Sequence, residues 1–257
     1  MRNNKFKMAF ALYKKDLHEL LPEIILVAVL AIMIMLGLTI WGIGPVVILP
    51  LVILCGLAYF LPVLDSFKML FKEWSTNAIY LVLSLPVSGN MVFGVKLLAL
   101  LTQFIIGILI TGVTCFITLL FGMAETDTSW AQIWGIFGTD FNVYLKLSLL
   151  LFLLTVAVLT FLICLSFFSS ILGKVIKKYS GVVTFASFII FWNLAGKVIN
   201  YIFSFMGNSP NMHLDLANLP VQNNLLLPLG EIALVYFLTA LVFFIAATQV
   251  YQRKTEL

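Results

Sequence analysis

A chain of 257 residues with 62% hydrophobic and only 10% charged side chains, mean hydropathy +1.12 and formal net charge +4 is no ordinary water-soluble domain. Soluble domains carry about 25% charged residues, and a water-facing surface cannot be built from so few. The positive charges fall in short clusters between long apolar runs and form no basic stripe with interleaved aromatics, which argues against nucleic acid and for a bilayer.

A spanning helix needs about 20 mostly apolar residues. In chain order, residues 1–20 mix Phe6, Met8, Phe10, Leu12, Leu17 and Leu20 with Lys14, Lys15, Asp16, His18 and Glu19. This amphipathic stretch is expected to lie along the interface as an elbow helix and to turn at Pro22 into the first span. With the first apolar run longer than the ~7–15 residues of a signal h-region, the N-terminus reads as retained. Spans are predicted at 21–41, 45–64, 91–121, 143–172, 181–205 and 226–251, with Gly42-Ile43-Gly44 as a tight link between the first two. Helix is dictated because lipid offers the backbone no partner, and β-barrel alternation is absent. Residues 66–79 form a second amphipathic stretch, expected to be a short cytoplasmic helix. Gly207 to Pro228, broken by Asn and Pro, is the longest external segment. The fold class is thus an all-α polytopic membrane protein, a single domain over 1–257.

Orientation follows from Lys and Arg. Arg2, Lys5, Lys7, Lys14 and Lys15 precede the first span. Lys68 and Lys72 lie after the second, with Lys96 just beyond; Lys174, Lys177 and Lys178 lie after the fourth; Arg253 and Lys254 end the chain. The other three loops hold Glu125, Asp127, Asp140 and Asp215 and no Lys or Arg. The positive-inside pattern places both termini in the cytoplasm of an inner membrane.

No catalytic residue set emerges. His18-Glu19 begins a zinc-protease pattern, but Pro22 stands where the second His belongs. Gly173-Lys174 and Gly196-Lys197 are each followed by Val and lack the upstream glycine of a phosphate-binding loop. Cys55, Cys115 and Cys164 lie in apolar runs, without metal-ligand spacing, and read as small apolar fillers. Polar residues inside spans are costly and mark function or pairing. Asn193, Lys197, Asn200 and Ser204, spaced 4, 3 and 4, share one face of the fifth span. Glu231 lies at similar depth in the sixth. A Lys197–Glu231 pair or shared cavity is one reading; Lys197 snorkelling outward, with Glu231 at the headgroups, is the other. Gln103 and Thr111 either line that path or stitch neighbouring helices together.

The segment after the second span carries the most specific pattern. Phe71-Lys72-Glu73-Trp74-Ser75-Thr76 is followed by Leu83-Ser84-Leu85-Pro86-Val87-Ser88 and then by Lys96 at the opening of the third span. This resembles the signature of ABC-2 type transporter permeases, with Gly89 standing where the family often has Arg or Lys. The resemblance covers the whole chain in its order of elbow helix, six spans and coupling helix. It implies a permease subunit without its own ATPase, pairing with a second permease chain and with separate ATP-binding cassette subunits that carry ATP and Mg²⁺. Lys68, Phe71, Lys72, Glu73, Trp74 and Thr76 would then form the coupling site, Phe71 and Trp74 being apolar anchors framed by charge. In size and lack of a large external domain the chain is similar to exporters of amphipathic peptides such as phenol-soluble modulins, and a mostly apolar path fits amphipathic or lipid-like cargo. The competing readings are an ion-coupled carrier using Lys197 and Glu231, and a non-transporting immunity or assembly protein.

Overall fold

Apolar runs longer than a bilayer is thick can satisfy their backbones only by coiling, and the chain does so throughout. A computed structural model describes residues 2–41, 48–75, 88–126, 141–175, 179–205 and 226–255. These form α1 (Arg2–Trp41), α2 (Ile48–Ser75), α3 (Gly89–Thr126), α4 (Phe141–Val175), α5 (Ser180–Phe205) and α6 (Leu226–Thr255), with no strand among the described residues. Each contains a stretch long and apolar enough to cross a membrane: Phe6–Gly37, Leu49–Ser75, Gly89–Phe121, Tyr144–Lys174, Ser180–Ser204 and Pro228–Gln252. Their outward faces carry side chains such as Ile32, Met33, Phe60, Val113, Phe185 and Val242, all exposed. Such a surface is soluble in lipid and not in water, so the chain is a multi-pass membrane protein.

The ends of the first two spans differ from expectation. Pro22 does not end a separate elbow: α1 runs through it for 40 residues. Likewise α2 runs through Pro62 to Ser75, so residues 66–75 continue the span rather than forming a distinct short helix. At 1.5 Å per residue α1 measures about 60 Å along its axis, twice the ~30 Å hydrocarbon core. The excess holds its charged residues. The Gly42–Gly44 link, Thr76, residues 76–79 and nearly all of the 207–228 segment lie outside the described residues.

The chain divides into two compact units, Met1–Gly138 and Thr139–Leu257. In the first, α3 packs along both α1 and α2. Val27, Ala31 and Leu54 form a buried cluster with Leu30, Ile34, Leu61 and Ile110 against it. Gly107 allows the close approach of α2: a Cβ there would lie 3.1 Å from that of Ala58.

In the second unit α4 is the central helix, packed against α5 and α6. Leu159, Ile163, Leu165 and Phe167 are wholly buried along it. The ring of Phe161 meets Tyr236 at 5.6 Å, Phe243 at 5.9 Å and Trp192 at 6.2 Å between centroids, and Phe168 meets Phe191 at 5.0 Å. Gly173 sits where α4 and α5 touch; any Cβ would collide with the Thr184 hydroxyl and come within 2.7 Å of the Ser180 carbonyl oxygen.

Candidate functional site

Ionisable residues within or beside apolar runs must find partners, and in the first unit they find one another. On α1, Glu19 and Glu23 are one turn apart; on α2, Lys68 and Lys72 are one turn apart. The same face of each helix therefore carries a pair of like charges. The two helices run in opposite senses, so Glu23 meets Lys68 and Glu19 meets Lys72 as successive rungs. Both lysines remain more than half exposed, so these rungs are worth at most about 1 kcal/mol each.

Beyond the rungs the cluster turns inward. The Lys96 ammonium on α3 donates to Glu73 Oε1 on α2 at 2.7 Å and lies 3.7 Å from Asp16 Oδ2 on α1. Lys15 approaches Glu73 at 3.6 Å from the exposed side. Asp16 and Lys96 are sealed, at 0% and 1% exposure, and with Glu73 they join three helices in one buried cluster. Neither carboxylate oxygen of Asp16 accepts a hydrogen bond; the charge of Lys96 is its main compensation. Two turns further along α3, Gln103 donates to Asp65 Oδ2 on α2 at 2.6 Å, both residues being buried. Tyr13 and Thr102 add a hydroxyl contact of 2.9 Å between α1 and α3.

The sequence-predicted coupling residues thus fall into two kinds. Lys68 and Lys72 are exposed and bound to α1. Glu73 is buried and bound to α3, an internal strut rather than a surface group. Phe71 and Trp74 are half-buried beside it. Of the other candidates, Gln103 acts as a stitch between α3 and α2, and Thr111 donates to the Gly107 carbonyl of its own helix. In the second unit Asn193, Lys197, Asn200 and Ser204 share an exposed face of α5, and Asn193 donates to the Ile189 carbonyl. Glu231 is half-buried on α6. The structure does not bring Lys197 to Glu231: among the described residues Lys197 makes no ion pair.

Reading the sequence does not single out Asp16, Asp65 or Glu23 as site residues. Lys96 enters it only as part of a family signature. A signal was available, since Asp65 and Lys96 interrupt apolar runs and such charges are expected to be paired. Which partner each takes depends on helix register.

A cleft of about 610 Å³ opens between α1 and α3, lined by Ala28, Ile32, Met35, Leu109, Val113 and Phe121 among others. It offers no charge and suits only hydrocarbon.

Compared with protein-family models, curated proteins and solved structures, the chain matches none of them.

Proposed function

We propose that the chain is the membrane-spanning permease subunit of an ATP-driven exporter, moving an amphipathic substrate, by preference a peptide, out of the cell. A separate ATP-binding cassette subunit would supply ATP hydrolysis, and a second permease chain, identical or related, would complete the pathway. In this reading the protein sits in the cytoplasmic membrane with both termini inside, as the placement of Lys and Arg supports.

The observation that carries the proposal is the anchoring of the signature segment. Phe71 and Trp74 sit at the end of α2, and that end is tied by Glu73 to Lys96 and by Lys72 to Glu19. A force applied there by a docked subunit would move α1, α2 and α3 together, because a buried charge pair resists separation by several kcal/mol. The apolar cleft between α1 and α3 supports a cargo with a hydrocarbon face over a sugar or a free ion. No comparable feature favours a carrier built on Lys197 and Glu231.

The test is a mild-detergent pull-down of the tagged protein from its native membranes, with mass spectrometry and an ATPase assay. A nucleotide-hydrolysing subunit is expected to co-purify with wild type and to be lost with Trp74→Ala. With Glu73→Gln it should remain bound while peptide efflux falls. A folded, monodisperse wild-type protein that retains no such subunit would overturn the proposal.

A further inference from the structure

On α5 the polar row Asn193, Lys197, Asn200 and Ser204 falls within about 60° of arc at ~100° per residue. Nearly opposite stand Thr184, Ala195 and Ile199, all buried in the unit's own core. The helix therefore turns its most polar side outward, where a lipid-facing helix carries hydrocarbon.

Lys197 by itself settles nothing, because its long stem lets the ammonium reach toward the outer headgroups. The asparagines cannot do this. Asn193 stands at the midpoint of α5, about 20 Å from either end at ~1.5 Å per residue. A carboxamide offers two N–H donors and an oxygen with two acceptor positions. Asn193 spends one N–H on the Ile189 carbonyl of its own helix. Among the described residues Asn200 makes no hydrogen bond. Left in hydrocarbon, these amides carry a desolvation cost that a partner helix with polar groups at the same levels would remove.

The chemistry of the row selects an identical helix as that partner. A carboxamide donates and accepts at once, so it is its own complement. A two-fold interface places the same patch of each subunit against the other and brings residues on the axis to their own counterparts. Asn193 and Asn200 are seven residues apart, the repeat that keeps two parallel helices in contact along one seam. The seam continues through Ala186, Ile189 and Gly196, none of them buried. A Cβ added at Gly196 would meet nothing within 4 Å, so the backbone there is open to close approach. Lys197 and its counterpart would lie on opposite flanks of such a pair, not against each other. A lipid headgroup fits Lys197 but not Asn193, which lies too deep. A polar channel fits less well too: toward Ser180 the same side continues as Val182, Ala186, Ile189 and Ile190, with no polar group to carry it on.

We propose that two copies of this chain pair in the membrane through α5, parallel and side by side, with Asn193 and Asn200 each hydrogen-bonded to its counterpart across a two-fold axis. The inference goes beyond the permease reading and does not rest on it, since the amides need partners whatever the chain transports.

The test uses the full-length chain in native membranes. Ala186→Cys and Val198→Cys are each placed in a chain whose Cys55, Cys115 and Cys164 are changed to Ala, and disulfides are formed by mild oxidation. Both positions are exposed, Ala186 on the seam and Val198 off it. A disulfide-linked dimer is expected from Ala186→Cys and none from Val198→Cys. The second measurement keeps the native cysteines. Chains fused to donor or acceptor fluorophores are reconstituted in phosphatidylcholine vesicles, and energy transfer is followed as added lipid dilutes the protein. Asn193→Leu together with Asn200→Leu should weaken association by about tenfold or more, as loss of two interhelical polar contacts implies. Lys197→Leu should leave association unchanged. Cross-linking that is equal at the two positions, or absent at Ala186→Cys, would overturn the interface. So would energy transfer that the double leucine variant leaves at the wild-type level, or that Lys197→Leu alone abolishes. A wild type that is monomeric yet retains an ATP-binding subunit would overturn the dimer and leave the permease reading standing; a dimer that retains no such subunit would do the reverse.

Discussion

The two units of this protein hold three helices each by different means. The first ties α1, α2 and α3 with charges and amides: Asp16, Glu73 and Lys96 in one layer, Asp65 and Gln103 in the next, and two lysine–glutamate rungs at the edge. The second ties α4, α5 and α6 with rings and small residues: Phe161 and Phe168 against Trp192, Tyr236, Phe191 and Phe243, and Gly173 against Thr184. In lipid, apolar contact between helices gains little over contact with acyl chains, so specificity must come from shape or from polar pairs. The second unit uses shape and the first uses polarity. Polar pairs fix partners and register, and they also respond to ions and to applied force, as a packed aromatic cluster does not. This is the physical ground for placing the proposed coupling segment in the first unit.

The comparison can be broken most sharply at Lys96. Lys96→Ala strands two buried carboxylates, and removing one member of a buried ion pair costs about 3–5 kcal/mol. A large loss of stability is expected on thermal or denaturant unfolding in detergent. Adding Asp16→Asn to Lys96→Ala should recover part of it, with Glu73 keeping Lys15 as its cation, an outcome scored by a double-mutant cycle. Additive losses would mean that the two residues do not form a pair.

A smaller effect is expected in the second unit from Gly173→Ala. The added methyl must displace Thr184 or the Ser180 backbone, and overpacking of this kind costs about 1–3 kcal/mol. The loss should be the same at low and high salt, since no charge is involved. A salt-dependent loss would contradict the division drawn between the units.

The least effect is expected at the exposed rung. Lys72→Ala should lower stability by no more than about 1 kcal/mol, and that difference should shrink as ionic strength rises. Measuring it beside Lys96→Ala separates the solvated edge of the cluster from its sealed centre.

Much of this architecture is legible in the sequence. Six apolar runs of spanning length are six helices because a backbone in lipid can bond only within itself, and no packing detail alters that. The polar row Asn193, Lys197, Asn200 and Ser204 does share one face of α5, since helical periodicity alone dictates it. The junctions were less legible. Pro22 reads as a turn and residues 66–79 as a separate short helix, yet α1 runs through Pro22 and α2 runs on to Ser75. The Glu19–Lys72 pair and the buried Asp16–Lys96–Glu73 cluster tie the two extensions to each other and to α3. Glu73 read as a surface group by its charge and proved to be buried by its partner.

The sequence by itself determined the solvent, the number of spans and which residues share a helix face, because each follows from composition and from one helix's geometry. Tertiary structure alone decided that Lys96 lies between Asp16 and Glu73, that Gln103 turns its amide to Asp65, and that Glu23, Pro62 and Gln103 line one small cavity. Each of these requires residues from two or three helices at one level, and level is set by how the helices pack, which no single stretch of sequence encodes.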